Sequence, residues 1–85
     1  MPLVKLYANL RKVAGTKELF VEGADLGSVL SGLVRLHLPL EEIILEGEGV
    51  RPHIVVTVNG HHVTELNVSL AEDDVVAIFP PIAGG

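Results

Sequence analysis

The sequence predicts an α+β fold, one mixed sheet of about five strands with one main helix packed on one face. Three observations carry this. Five short runs alternate or are rich in β-branched residues, around positions 3–8, 18–22, 53–58, 61–64 and 75–79. One stretch from Leu26 to His37 keeps a helical rhythm. Asn59-Gly60 separates two of the strand runs, and that dipeptide is the strongest short-range hairpin signal.

Leu3 to Ala8 alternates, with Val4, Leu6 and Ala8 on one side and Leu3, Lys5 and Tyr7 on the other. Asn9 to Lys17 holds Gly15 and several charges and reads as a turn or loop. Glu18 to Glu22 alternates again, so a hairpin with a long loop is expected. Phe20 falls on the polar side of that run; another element covers it, or it is exposed and sticky. Asp25 is the expected N-cap, its carboxylate accepting from an orphan backbone N–H. Leu26, Val29, Leu30, Leu33 and His37 form the helical stripe, with Val34 and Leu36 beside it. Gly27 and Gly32 each weaken such a helix by about 1 kcal/mol relative to Ala, so packing must hold it. Pro39 ends it, because a proline disfavours helical backbone at the preceding residue.

Leu40 to Leu45 has the makings of one more short helix, and Gly47-Glu48-Gly49 reads as a loop. Across the Asn59-Gly60 turn, Val58 should pair with His61 and Val56 with Val63 on one face. Thr57 with His62 and Val55 with Thr64 take the other. Ser69 to Asp74 is a polar turn, and Val75 to Phe79 is the last strand, stopped by Pro80-Pro81. Residues 1–79 form one domain, and 80–85 an extended tail ending in Gly-Gly.

Composition bounds the function. Eighty-five residues allow one small domain. With 48% hydrophobic and 20% charged residues the chain is globular rather than disordered. The absence of cysteine excludes disulfides, thiolate zinc sites, iron–sulfur clusters and a cysteine nucleophile. The formal charge of −5 argues against nucleic acid, which needs clustered cations, and suits a basic protein partner. No apolar run is long enough to span a membrane, and the N-terminus lacks a signal-peptide layout, so a cytoplasmic location is expected.

Candidate catalytic groups are sparse. Asp73-Asp74 and Glu41-Glu42 are sequence neighbours, which point in different directions and do not form a ready acid–base pair. Ser28, Ser31 and Ser69 lack the sharp strand-to-helix setting of a nucleophile. Gly47-Glu48-Gly49 is half a dinucleotide fingerprint, without the third glycine. His61 and His62 face opposite sides of a strand and cannot easily share a metal with His53, so all three read as exposed histidines.

The C-terminus differs. Pro80-Pro81 forbids continuation of the sheet and favours a stiff exit. The six residues from Pro80 to Gly85 reach about 20 Å. Without Cβ atoms, Gly84 and Gly85 can thread a narrow channel, and a glycine carboxylate is the least hindered acyl group a protein offers. The bland alternative is a frayed end. The apolar positions Phe20, Val55 and Ile82 point outward in these patterns and suit complex formation.

The ending Val75-Val76-Ala77-Ile78-Phe79-Pro80-Pro81-Ile82-Ala83-Gly84-Gly85 resembles that of the small, sulfur-carrier subunit of molybdopterin synthase, a ubiquitin-like β-grasp family. Leu10-Arg11-Lys12 with Ala14-Gly15-Thr16 is similar to the family's first loop, Val58-Asn59-Gly60 to its central hairpin, and Leu70 to Val75 to its acidic turn. The family often has Gly where Asp73 stands. Thiazole carriers more often resemble a Val-Gly-Gly-Gly ending.

The resemblance implies a β-grasp fold and a protein that is not catalytic by itself. It implies that an adenylating partner enzyme, resembling the ubiquitin-activating enzymes, uses ATP to activate Gly85, which then becomes a thiocarboxylate. Gly84 would let the tail through, and no cofactor would be bound by this chain. Phe79, Pro80, Pro81, Ile82, Ala83 and Arg11 would meet partners. Phe79 has a second reading as a core residue, on the face of Val75 and Ala77, and Arg11 a second reading as a solvated loop residue. The acceptor implied is the molybdopterin synthase large subunit, in a heterotetramer. A carrier for thiamine, cysteine or tRNA thiolation, a ubiquitin-like protein modifier, and a plain interaction domain are the alternatives.

Overall fold

The computed structural model describes residues 1–81; the expectations for Ile82, Ala83, Gly84 and Gly85 fall outside the described residues. The element order is β1 Leu3–Leu6, α1 Asn9–Ala14, β2 Glu18–Phe20, α2 Leu26–Leu36, α3 Leu40–Ile44, β3 Leu45–Glu46, β4 Gly49–Val50, β5 Val55–Val58, β6 His61–Val63 and β7 Val75–Phe79. Five strands form one mixed sheet in the order β2-β1-β7-β5-β6, and β3 and β4 form a separate small hairpin. β1 and β7 run parallel at the centre, and the other pairs in the sheet are antiparallel. One main helix lies between the first and second hairpins in sequence and packs on one sheet face. This is the β-grasp architecture.

The alternation of the strands decides which face is buried. Val4 and Leu6 of β1, Val76 and Ile78 of β7, and Val56 and Val58 of β5 join one core cluster. The α2 stripe completes it with Leu26, Val29, Leu30, Leu33 and Val34. His37 does not extend the stripe; it caps the helix, its N–H donating to the Leu33 carbonyl. Leu36 is exposed. Asp25 caps the other end as expected, accepting from the Ser28 N–H at 2.7 Å.

The hairpin register across Asn59-Gly60 is as the sequence predicts, Val58↔His61, Thr57↔His62 and Val56↔Val63, with both turn residues at positive φ. The strand ends at Val63, so the pairing expected for Thr64 does not form. Three local expectations are corrected. Residues 9–14 form a helix rather than a loop, because Leu10 is fully buried and Gly15 closes the turn in the left-handed region at φ 75°. Ala8, expected to continue β1, instead sits at φ 52° where the chain turns into α1. The Gly47 loop is the turn of the β3–β4 hairpin, with Gly47 at φ 59°.

The segment after β6 straps the start of α2. Leu26 and Gly27 donate to the carbonyls of Val68 and Leu66, and Leu70 donates to Ala24. At the far end of the hairpin, the Asn59 amide bridges the start of β7. It donates to Asp74 at 2.9 Å and accepts from the Val75 N–H at 2.9 Å. Asp74 also accepts from the Ala71 N–H at 2.8 Å, closing the polar turn. That backbone bond, and then the Asn59 amide, hold the Asp74 carboxyl below its ordinary pKa of 3.8. Ser28, through its N–H first and its hydroxyl second, does the same to Asp25.

Gly32 has a packing reason that the sequence does not show. A Cβ there would stand 2.8 Å from Cγ1 of Val21, which is buried and β-branched and has little room to yield. Helix propensity alone favours Gly32→Ala by about 1 kcal/mol. Overpacking at so close an approach costs about 1–3 kcal/mol. Gly32→Ala is therefore expected to lower unfolding stability in urea; a gain would show that Val21 can move aside. A second outcome concerns acid. A depressed folded pKa stabilises the fold above the ordinary carboxylate pKa, and this stability is lost as the pH falls through the folded value. The melting temperature is thus expected to fall below about pH 4 on account of Asp25 and Asp74. Asp74→Asn should flatten that acid slope while lowering stability at neutral pH.

Candidate functional site

The second face of the sheet lies outside the core cluster. Its rows follow from the strand register. Phe20, Leu3 and Val75 form one row, and Glu18, Lys5, Ala77, Thr57 and His62 the next. Phe79 and Val55 are paired in a third. Phe20 is 62% exposed and Val55 38%, so the first alternative for Phe20, a covering element, is not found among the described residues. All three expected histidines are exposed, and the two on β6 take opposite faces, since Thr57↔His62 and Val58↔His61 are successive pairs. Among the described residues, no group of three or more His, Asp and Glu side chains could hold a metal ion.

Phe79 is the last residue of β7, next to Pro80-Pro81. It is half-buried, but it is not a core residue: the core takes its neighbours in alternation, Val76 and Ile78. Phe79 does share a face with Val75 and Ala77, and that face is the outer one. There it stacks on Tyr7, the ring centroids 4.4 Å apart and the planes within 17°. The pairing Leu6↔Ile78 sets Tyr7 beside Phe79. Such a stack contributes about 0.5–1.5 kcal/mol beyond the area it buries.

Arg11 joins the same cluster. It stands on α1 rather than on a bare loop, and its Nε donates to the Leu6 carbonyl at 2.8 Å. Its guanidinium carbon lies 5.2 Å from the centre of the Tyr7 ring, within cation–π range. Arg11, Tyr7 and Phe79 therefore link α1, the end of β1 and the end of β7. The result is a braced base for the segment that begins at Pro80. Pro80 is half-buried and Pro81 exposed.

Tyr7 is the residue that sequence reasoning missed. Alternation puts it on the outer side of β1, and only the parallel pairing of β1 with β7 brings it to Phe79. Of the other expected site residues, the structure brings Arg11, Phe79 and Pro80 to one end of the sheet. No helix of the described residues is long and apolar enough to cross a membrane.

Comparison with known proteins gives the family. The ThiS family model matches residues 4–85. Small archaeal modifier protein 3 of Haloferax volcanii is 33% identical, the match covering 96% of each chain. The crystal structure of small archaeal modifier protein 1 from Haloferax volcanii superposes with a TM-score of 0.84 at 35% identity, covering 99% of this chain and 98% of that one. A structure described as a putative molybdopterin converting factor, subunit 1, from Pyrococcus furiosus matches with a TM-score of 0.75 at 30% identity, covering 95% and 97%. With its β-grasp sheet, its braced exit at Phe79 and a match that runs through Gly84-Gly85, the chain belongs to the ThiS family of small ubiquitin-like carrier proteins.

Proposed function

We propose that this chain is a sulfur carrier whose Gly85 carboxylate is activated and converted to a thiocarboxylate by partner enzymes. The observation that carries the reading is the family match through residue 85, the diglycine included. A carboxylate is a poor acyl donor because its leaving group would be oxide. An adenylating enzyme resembling the ubiquitin-activating enzymes solves this: a Gly85 carboxylate oxygen attacks the α-phosphorus of ATP and pyrophosphate leaves. Sulfur at the sulfide level, supplied by a donor as a nucleophile, then attacks the Gly85 carbonyl carbon and displaces AMP, which departs with that oxygen, and a thiocarboxylate remains on Gly85.

The chain's own residues bind and position. Exposed Phe20, and Val55 beside Phe79, offer apolar surface to a partner on the outer sheet face. Arg11, Tyr7 and Phe79 fix where the tail departs. Pro80-Pro81 stiffens its first step, and Ile82 and Ala83 would lie along the partner's channel, with Gly84 passing its narrowest part. ATP belongs to the activating enzyme, and this chain needs no cofactor of its own. The acceptor we propose is the large subunit of molybdopterin synthase, joined in a heterotetramer, in which the sulfur builds a dithiolene. The likeness to the Pyrococcus furiosus converting-factor subunit supports this. A second reading has its own support: two relatives at 33% and 36% identity are named small archaeal modifier proteins. In that reading the activated Gly85 is joined to lysine amines.

Intact mass after incubation with an activating enzyme, ATP and a sulfur donor tests the common step. A gain equal to exchange of one oxygen for sulfur, mapped to Gly85, is expected; no gain, with the enzyme shown to act on another carrier, would overturn the reading. Gly84→Ala is expected to keep the melting temperature and slow activation by about 100-fold, the effect of misplacing a reacting group by an ångström. Isopeptide conjugates in cell extract would move the acceptor from a small molecule to lysine.

A further inference from the structure

The net charge of −5 hides a divided distribution. Residues 1–17 carry Lys5, Arg11, Lys12 and Lys17 and no carboxylate, whereas the rest of the chain carries Arg35, Arg51 and all eleven carboxylates. The fold gathers the cations. Lys5, Arg11 and Lys17 line one cavity of about 200 Å³ together with Leu6, Tyr7 and Glu18. The Leu6 N–H donates to the Lys17 carbonyl at 2.8 Å, which pins that lysine to the end of β1. Lys12 follows Arg11 on α1 and is exposed. Glu18 is the one carboxylate in the lining, and among the described residues it forms no ion pair within 4 Å; the pair found is Arg51–Glu46. Tyr7, in the same lining, is the ring that stacks on Phe79. A cationic surface thus borders the base of the tail on a protein that is acidic elsewhere.

We propose that this basic end of the sheet docks an acidic segment of the protein that receives the tail. Net charge alone suits a basic partner; the local charge selects the opposite sign. Arg11 already gives its Nε to the Leu6 carbonyl, and Lys12 stands outside the cavity lining. The positive charge therefore extends beyond the cavity that Lys5, Arg11 and Lys17 share, out to Lys12 on α1, which fits a run of carboxylates better than a single compact anion. Exposed charges of this kind act chiefly by steering encounter, and salt screens them. The proposal rests on the carrier reading only for the identity of the partner.

The test reverses charge at exposed positions, Lys12→Glu and Lys17→Glu together, with Arg35→Glu on α2 as the control for bulk charge. In steady-state activation by the adenylating enzyme, the double variant is expected to raise KM for the carrier about tenfold or more with kcat kept. It should also lose the rise in KM that salt causes for the wild type, and Arg35→Glu should stay within about twofold. An unchanged KM in the double variant, or an equal rise in Arg35→Glu, would overturn the proposal. A wild-type chain that no activating enzyme adenylates removes the carrier reading instead. Amide chemical-shift titration with a hexaglutamate peptide at low salt then decides. Shifts confined to residues 5–17 and lost in the double variant sustain the docking surface. Scattered or absent shifts overturn it, as do equal shifts with inorganic phosphate, which would mark a small-anion site.

Discussion

The parallel pairing of β1 with β7 is the constraint on which the rest of the structure depends. It joins Leu3 to Val75 and Leu6 to Ile78, residues at opposite ends of the chain. Closing so long a loop costs entropy that local contacts cannot repay. The return comes from burial: Val4, Leu6, Val76 and Ile78 are all fully inaccessible. Because β7 lies between β1 and β5, it is paired along both edges. The strand that leads to the tail is therefore the central strand of the sheet, with two strands on each side, and Pro80-Pro81 starts from a fixed point.

Alternation along β1 and β7 divides two tasks between two faces. Val76 and Ile78 face α2 and supply stability, while Val75 and Phe79 face away and remain half-accessible. A partner can cover the outer face without disturbing the core. The Arg11–Tyr7–Phe79 cluster lies where the two tasks meet, since it is built on the ends of strands that the core holds in register. The same pairing sets the end of β1, beside which the cations of residues 1–17 gather, next to the tail base, so a stability device also helps arrange the charge.

Much of the architecture was legible in the residues. The Val56–Val63 hairpin register, the Asp25 cap, the α2 stripe, the short α3 and β7 from Val75 to Phe79 all follow from local rules of turn type, capping and period. The misses were equally local. Helix α1 is only six residues long, and its signal, one buried leucine and a closing glycine, is too brief for a periodic pattern. The two-residue strands around Gly47 are shorter still. At the site, the diglycine and diproline could be read directly, whereas Tyr7 could not, because nothing in its neighbourhood announces a partner seventy-two positions away.

The sequence by itself determined the fold class, the faces of the main sheet strands and of α2, and the family-like ending, because each depends on backbone preferences and periods within a few residues. Tertiary structure decided which strands are neighbours, and with that which outer residues meet. Tyr7 on Phe79 is a consequence of the parallel pairing between the chain's two ends, whereas Lys5 with Lys17 in one cavity follows from the antiparallel β1–β2 pairing and Arg11 over Tyr7 from the turn of the chain from β1 into α1. The close approach at Gly32 was also decided there: only in the packed structure does the missing Cβ leave room for Val21, the residue after β2, against α2.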